Sequence, residues 1–360
     1  MACNIDKLRD LLDRRGLDAV LVRSKTMKGW MATQTGGGCS VVIDHEGAFL
    51  VLDGRYVAEA GEKEHDLVID LLPSQSREAL YDRLDRMARE RGWRRLGLEG
   101  DETLARDYLR ISRFVEEPVL LDDDMAILRA VKTDEEIDKI QRAVDVTDDI
   151  FATVVPQLRV GMTEFDISAL LQYESIRRGA QKMAFDTICS IGERTAFPHG
   201  RPTSRALRLG DHVMMDFGIQ LDNYQSDMTR VCFMGEPDEK IMAIYQIVKA
   251  AQEVGIASIK AGADSEGVDA AARAVIGEAG YGECFDHGLG HGIGVDDSTE
   301  LPLLRRGKHY VLQEHMVMSC EPGIYVPGVG GVRIENDVAI LGGVGVSLNK
   351  TTTDPIILEA

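Results

Sequence analysis

The sequence predicts a two-domain α/β protein, with an α/β domain over residues 1–128 and a larger α+β domain over residues 129–360. Three observations predict it. A chain of 360 residues exceeds what a single hydrophobic core ordinarily fills. Short β-rich runs alternate with helical ones through the first third of the chain. Beyond residue 129, amphipathic helices come in pairs followed by strands, which points to two similar halves.

The first domain opens with a helix over 4–15, where leucines recur at helical spacing among charges. "DAVLVRS" reads as a strand, and "SVVIDHEGAFLVLD" as a hairpin turning through "DHEG". A helix follows, then the strand "LVIDLL", the charged helix "SREALYDRLDRMARERG", the strand "RRLGLE" and a helix near 103–112. The triple glycine in "TQTGGGC" is read as a flexible loop, because no Gly-Lys-Ser/Thr follows to build a phosphate cradle.

"AILRAVKTDEEIDKIQRAVDV" marks the boundary, with Thr133 and Glu136 spaced as a capping box for a long helix. A second helix opens at "MTEFDISALLQYESIRRG", with Thr163 as N-cap and Gly179 as C-cap. The strands "FDTICSIG" and "DHVMMDFGIQL" come next, then helices over about 238–260 and at "SEGVDAAARAVIGEAG", then further strands.

Composition narrows the function classes. Apolar content of 44% and charged content of 28% suit a water-soluble globular enzyme. A net charge of −19 argues against nucleic acid or an anionic membrane as partner, since phosphate would be repelled. Six scattered cysteines without a C-x-x-C pair suggest neither a zinc ribbon nor a disulfide framework, and fit a reducing cytoplasm. The N-terminus lacks the apolar core of a signal peptide, and no run approaches the roughly 18 apolar residues of a membrane span.

Two hairpins carry the chemistry. In "DFGIQLDNYQSDMTR" a reversal at Leu221-Asp222 would set Asp216 opposite Asp227. Opposed carboxylates repel, so either the pair is solvated at a frayed edge, or one carboxylate is protonated, or a cation neutralises both. "MVMSCEPGIYVPGVGGVRIENDVAI", turning near Gly328, repeats the device by setting Glu321 opposite Glu335. "HGLGHGIG" adds His287 and His291, which spacing alone does not rank; its glycines oppose a helix, so an imidazole there would act from a loop or strand. Four carboxylates and one imidazole match two divalent ions, with manganese first and cobalt or zinc next in the absence of thiolates.

The motifs "PHG", "DFG", "SDMTR", "GLGHGIG", "EPGIY" and "GVRIEND", in that order, resemble the creatinase/prolidase/aminopeptidase P family of metallopeptidases, the pita-bread fold. The resemblance covers residues 129–360, while the first domain is similar in architecture to the family's creatinase-type N-terminal domain. It implies that Asp216 binds one ion, that Asp227 and Glu335 bridge both, and that His291 and Glu321 complete the second. It further implies that His199 contacts substrate or the tetrahedral intermediate, and that Glu321 also accepts a proton from the attacking water. Arg333 lies on the same strand face as Glu335, either pairing with a ligand carboxylate or binding a substrate carboxylate.

The sequence departs from the family at one place. Peptidases of this family carry a further histidine seven residues after the metal-binding one; here Ser298, or Thr299 with a one-residue insertion, stands there. His287 or His309 is a candidate spatial substitute. The expected function is removal of the N-terminal residue ahead of proline from a small peptide, by a homodimer. The alternatives are hydrolysis or cleavage of a small non-peptide compound, and a non-catalytic binding module.

Overall fold

The computed structural model describes residues 2–31, 38–62, 67–296 and 300–359. They form two compact units, residues 1–129 and 130–360. The triple-glycine loop falls mostly in 32–37, outside the described residues.

The first unit runs α1 (Ala2–Arg15), β1 (Ala19–Val22), α2 (Lys25–Trp30), β2 (Ser40–Asp44), β3 (Ala48–Leu52), α3 (Val57–Glu62), β4 (Val68–Leu71), α4 (Arg77–Arg91), β5 (Arg95–Leu98), α5 (Ala105–Ile111), β6 (Glu117–Leu120) and α6 (Asp122–Ala130). Its strands form one mixed sheet in the order β4-β3-β2-β1-β5-β6. Only β2 runs against its neighbours. The β2–β3 turn is closed by Asp44, whose Oδ1 accepts the N–H groups of Glu46 (2.9 Å) and Gly47 (2.8 Å). Helix α4 begins where Ser76 accepts the N–H of Ala79 and stops at Gly92, which takes the left-handed conformation at φ 71°. Its buried face, Tyr81, Leu84 and Met87, packs with Leu21, Val42 and Leu96 of the sheet.

The second unit opens with α7 (Asp134–Val154) and α8 (Glu164–Arg177). The Thr133 hydroxyl accepts the Glu136 N–H while the Glu136 carboxylate accepts that of Thr133, which completes the capping box. Strands β7 (Lys182–Met183), β8 (Ile188–Ile191), β9 (His212–Phe217), β10 (Ile219–Leu221), β11 (Tyr224–Gln225) and β12 (Met228–Met234) follow. Then come α9 (Glu239–Ser258), α10 (Ser265–Glu278), β13 (Val317–Cys320), β14 (Gly323–Val326), β15 (Gly330–Arg333), β16 (Asn336–Leu341), β17 (Val344–Ser347) and β18 (Ile356–Leu358).

Each helix pair covers its own core. Ile150, Phe151, Ile167 and Leu171 of the first pair pack with Met215, Phe217 and Met228, and Ile244, Val248, Val268 and Ala272 of the second with Met318, Val338 and Ile340. Each fully buried large apolar side chain contributes roughly 1.5–3 kcal/mol.

The four-stranded sheet β18-β12-β9-β8 is closed by a late element, β18, which pairs in parallel with β12. Arg230 on β12, 1% exposed, clasps the segment leading there by donating to the carbonyls of Thr351 (2.8 Å) and Thr352 (2.9 Å).

The first hairpin corrects the sequence reading. Leu221 pairs with Tyr224, so the turn is Asp222-Asn223, with φ of 49° and 71°. A two-residue turn of this hand needs φ > 0 at both central positions, which Asp and Asn tolerate and Leu does not. Pairing thereby shifts by two residues: Asp216 faces Thr229, and Asp227, two residues before Thr229, stands diagonal to it on the same face. The second hairpin keeps the expected register. Cys320 pairs with Asn336 and Gly323 with Arg333, which leaves Glu321 and Glu335 opposed between those two stretches of ladder.

Candidate metal centre

The side chains expected from the sequence converge through these two hairpins. Asp216 comes from β9, Asp227 from the residue before β12, Glu321 from the residue after β13, and Glu335 from the residue before β16. His291 comes from an extended segment laid against β13, where its N–H donates to Ser319 Oγ (3.0 Å) and its carbonyl accepts the Ser319 N–H (2.8 Å). The flanking glycines permit this approach. A Cβ on Gly290 would lie 2.0 Å from the Ser319 carbonyl oxygen, and one on Gly292 2.4 Å from that of Leu301. All five side chains line one cavity of about 490 Å³, together with His199, His287 and Arg333.

Ligand atoms of Asp227, His291 and Glu335 lie within 4.8 Å of one another. His291 Nε2 is 3.6 Å from Asp227 Oδ2 and 3.6 Å from Glu321 Oε1. Its Nδ1 lies 3.0 Å from the Gly292 carbonyl, a contact that puts the proton on Nδ1 and turns the Nε2 lone pair toward the carboxylates.

Burial is the leading cause that pushes up the pKa values of Asp216 and Glu335. It pushes Asp227 up to about 7, against the opposing hydrogen bond from His291. Burial disfavours the charged form of His291 too, but hydrogen bonding to Asp227 and the charge of Glu321 outweigh it and raise the imidazole to about 10. Asp216 Oδ1, Asp227 Oδ1 and Glu335 Oε1 are buried and find no hydrogen-bond partner among the described residues. Buried carboxylate oxygens without donors are what a bound cation would relieve. The donors are oxygen and imidazole, so the set suits divalent ions such as manganese, cobalt or zinc.

Residues 138–341 match the family described as Metallopeptidase family M24, and residues 4–131 match the Creatinase/Prolidase N-terminal domain. The chain belongs to metallopeptidase family M24. The Xaa-Pro dipeptidase of Pyrococcus furiosus is 34% identical over 355 residues, which span 96% of this chain and 97% of that one. A solved Xaa-Pro dipeptidase from Bacillus anthracis superposes with a TM-score of 0.92 at 34% identity, covering 99% of each chain. The X-Pro aminopeptidase of Thermotoga maritima gives a TM-score of 0.90 at 32% identity, covering 98% of this chain and 99% of that one. The enzyme therefore has the two-domain architecture of a creatinase-type N-terminal domain and a pita-bread catalytic domain.

In this M24 metallopeptidase the Arg333 guanidinium pairs with the Asp216 carboxylate. Its Nη2 donates to Asp216 Oδ2, its Nε to Thr229 Oγ1 (3.0 Å), and its Nη1 to the Tyr325 hydroxyl (2.7 Å). His287 meets the same hydroxyl through Nε2 (2.9 Å), and burial pushes its pKa down. His199 is exposed on the cavity wall. Ser298 and Thr299 lie outside the described residues. His309 does not substitute spatially for the family histidine: it sits on the surface between Asp264 and Glu266 (3.2 Å to each) and does not line the cavity.

Sequence reasoning missed Thr229, Tyr325 and Asp337. Thr229 donates to Glu335 Oε2 (2.6 Å) while accepting from Arg333, and so couples the two hairpins. Its signal was present in "SDMTR", had the turn been placed one residue later.

Proposed function

We propose that this metallopeptidase is a dinuclear enzyme that removes the N-terminal residue ahead of proline from short peptides. The observation that carries the reading is the convergence of Asp216, Asp227, His291, Glu321 and Glu335 on one cavity, with buried oxygens lacking donors. Its relatives' printed activities, Xaa-Pro dipeptidase and X-Pro aminopeptidase, support it. In this reading Asp216, Asp227, His291, Glu321 and Glu335 would hold the ions, with Asp216 on one side of the pair and His291 and Glu321 on the other. Two bound divalent ions, manganese first, would supply Lewis acidity and a water acidified toward neutrality.

The chain's own residues divide the remaining work. Glu321, the most open of the four carboxylates at 17% side-chain exposure, accepts a proton and returns it to the leaving amine. Arg333 holds Asp216 in place and keeps one buried carboxylate neutralised. His199 reaches the substrate from the exposed wall. Phe185, Ile188 and Leu303 offer the apolar wall that a proline ring requires, and the exposed guanidinium groups of Arg201 and Arg305 face the peptide carboxylate.

The free cysteines are consistent with a reducing cytoplasm, and no helix among the described residues is long and apolar enough to cross a membrane. A homodimer belongs to the same proposal, and light scattering of the purified protein tests it.

The test of the activity is release of free alanine from Ala-Pro, Ala-Pro-Ala and Ala-Ala-Ala by manganese-loaded protein beside Asp227→Asn. Cleavage confined to the proline peptides and lost in the variant is expected. Intact proline peptides in the presence of bound metal would overturn the reading in favour of a small non-peptide substrate.

A further inference from the structure

Asp337 lies two residues beyond Glu335, on β16, and is fully buried at 0% exposure. It lines no part of the cavity. Its Oδ2 accepts the main-chain N–H of Asp227 (2.9 Å), one of the carboxylates at the heart of the centre. Asp337 is held in turn from the other side: its own N–H donates to Asn349 Oδ1 (2.8 Å) and its carbonyl accepts the N–H of Leu348. On β13 its pairing partner is Ser319, the residue that also fixes the main chain of His291.

Asp227 needs such support. It stands just outside β12, beyond the last ladder pair of Met228 with Phe217, so the sheet does not fix its main chain directly. A carboxylate shared between two ions must be held within a fraction of an ångström, and outer hydrogen-bond partners are the usual means. A buried carboxylate is also an unusual choice for an ordinary backbone contact, since an amide or a water would satisfy one N–H at lower desolvation cost.

We infer that Asp337 is a positioning residue for the metal centre, anchoring the backbone of Asp227 so that its carboxylate points into the cavity, with Asn349 bracing Asp337 from behind. The inference rests on the reading of Asp227 as a metal ligand. It assigns no contact between Asp337 and either substrate or ion.

Three variants test it: Asp337→Ala, which removes the acceptor; Asp337→Asn, which keeps an acceptor oxygen and removes the charge; and Asn349→Ala, which removes the brace. Metal-free protein is titrated with manganese by calorimetry, and the cobalt-loaded proteins are compared by visible absorption. Urea unfolding of the metal-free forms shows separately whether each variant folds. Asp337→Ala is expected to bind manganese about 10–100-fold more weakly, with an altered cobalt spectrum. Asp337→Asn is expected to recover most of that loss, and Asn349→Ala to show a smaller effect in the same direction. Wild-type affinity and spectrum in Asp337→Ala would overturn the inference, as would an Asp337→Asn variant as impaired as the alanine. If Asp337→Ala does not fold, the asparagine and Asn349 variants decide by the same criteria. Failure of the wild-type protein itself to bind metal would instead overturn the metal-centre reading on which the inference stands.

Discussion

The Thr229 hydroxyl is the smallest group on which the centre depends. It donates to Glu335 from the strand that faces Asp216, and it accepts from the guanidinium that neutralises Asp216. Thr229→Val keeps the shape and removes both bonds. The expected result is a fall of about 10–100-fold in kcat/KM with weaker manganese retention, checked by steady-state kinetics on Ala-Pro and by metal analysis after gel filtration. Retained activity with full metal occupancy would show that Glu335 is held by strand geometry alone. The ligand-type residues were legible in the sequence because acids and histidines in β-hairpins have few other reasons to be there. Thr229, Tyr325 and Asp337 were not, because a hydroxyl or a lone acid acquires its role only when two hairpins from distant parts of the chain meet.

At the level of elements, the hairpins act as rulers. Register in a hairpin is set by its turn, and turn chemistry decided both the success and the miss in reading them. The Gly328 turn was placed correctly, so the opposition of Glu321 and Glu335 followed. The Asp222-Asn223 turn was misplaced by one residue, which displaced every cross-strand pair by two. Helix starts were easier to read, since the capping box at Thr133 and the N-cap at Thr163 rest on local spacing alone.

Asn223, at φ 71°, tests the turn. Asn223→Ala should lower stability by about 1–2 kcal/mol in urea unfolding, and Asn223→Gly should leave it near wild type. Equal stability of the two variants would mean that the turn does not bear on the fold. Thr133→Ala should cost about 1 kcal/mol by the same measurement, because it removes the acceptor for the Glu136 N–H.

For the molecule as a whole, pH and bound metal are expected to act on stability in opposite senses. His212 is buried at the start of β9, beside the Thr195 hydroxyl (2.8 Å), and burial pushes its pKa down from 6.5 to about 4. The unfolded chain therefore takes up this proton first as the pH falls. Stability from neutral His212 is complete above pH 6.5 and is lost as the pH drops through about 4, a change of roughly 3 kcal/mol. The stability difference between wild type and His212→Asn should narrow across that window in urea titrations at stepped pH. A constant difference would show that His212 does not govern acid sensitivity. Metal should act in the opposite sense to acid: manganese at about 100 times its Kd adds about 2.7 kcal/mol, which chelation removes and Asp227→Asn should never show.

The clasp of Arg230 on Thr351 and Thr352 also bears on how the protein comes into being. Arg230 leaves the ribosome 121 residues before Thr351 and 122 before Thr352, and β12 waits slightly longer for its partner β18. Until then the strand bordering Asp227 is an open edge with a guanidinium short of acceptors. All five converging side chains, Glu335 the last of them, are synthesised before β18, so the site's residues are all present before the strand beside Asp227 gains its second neighbour.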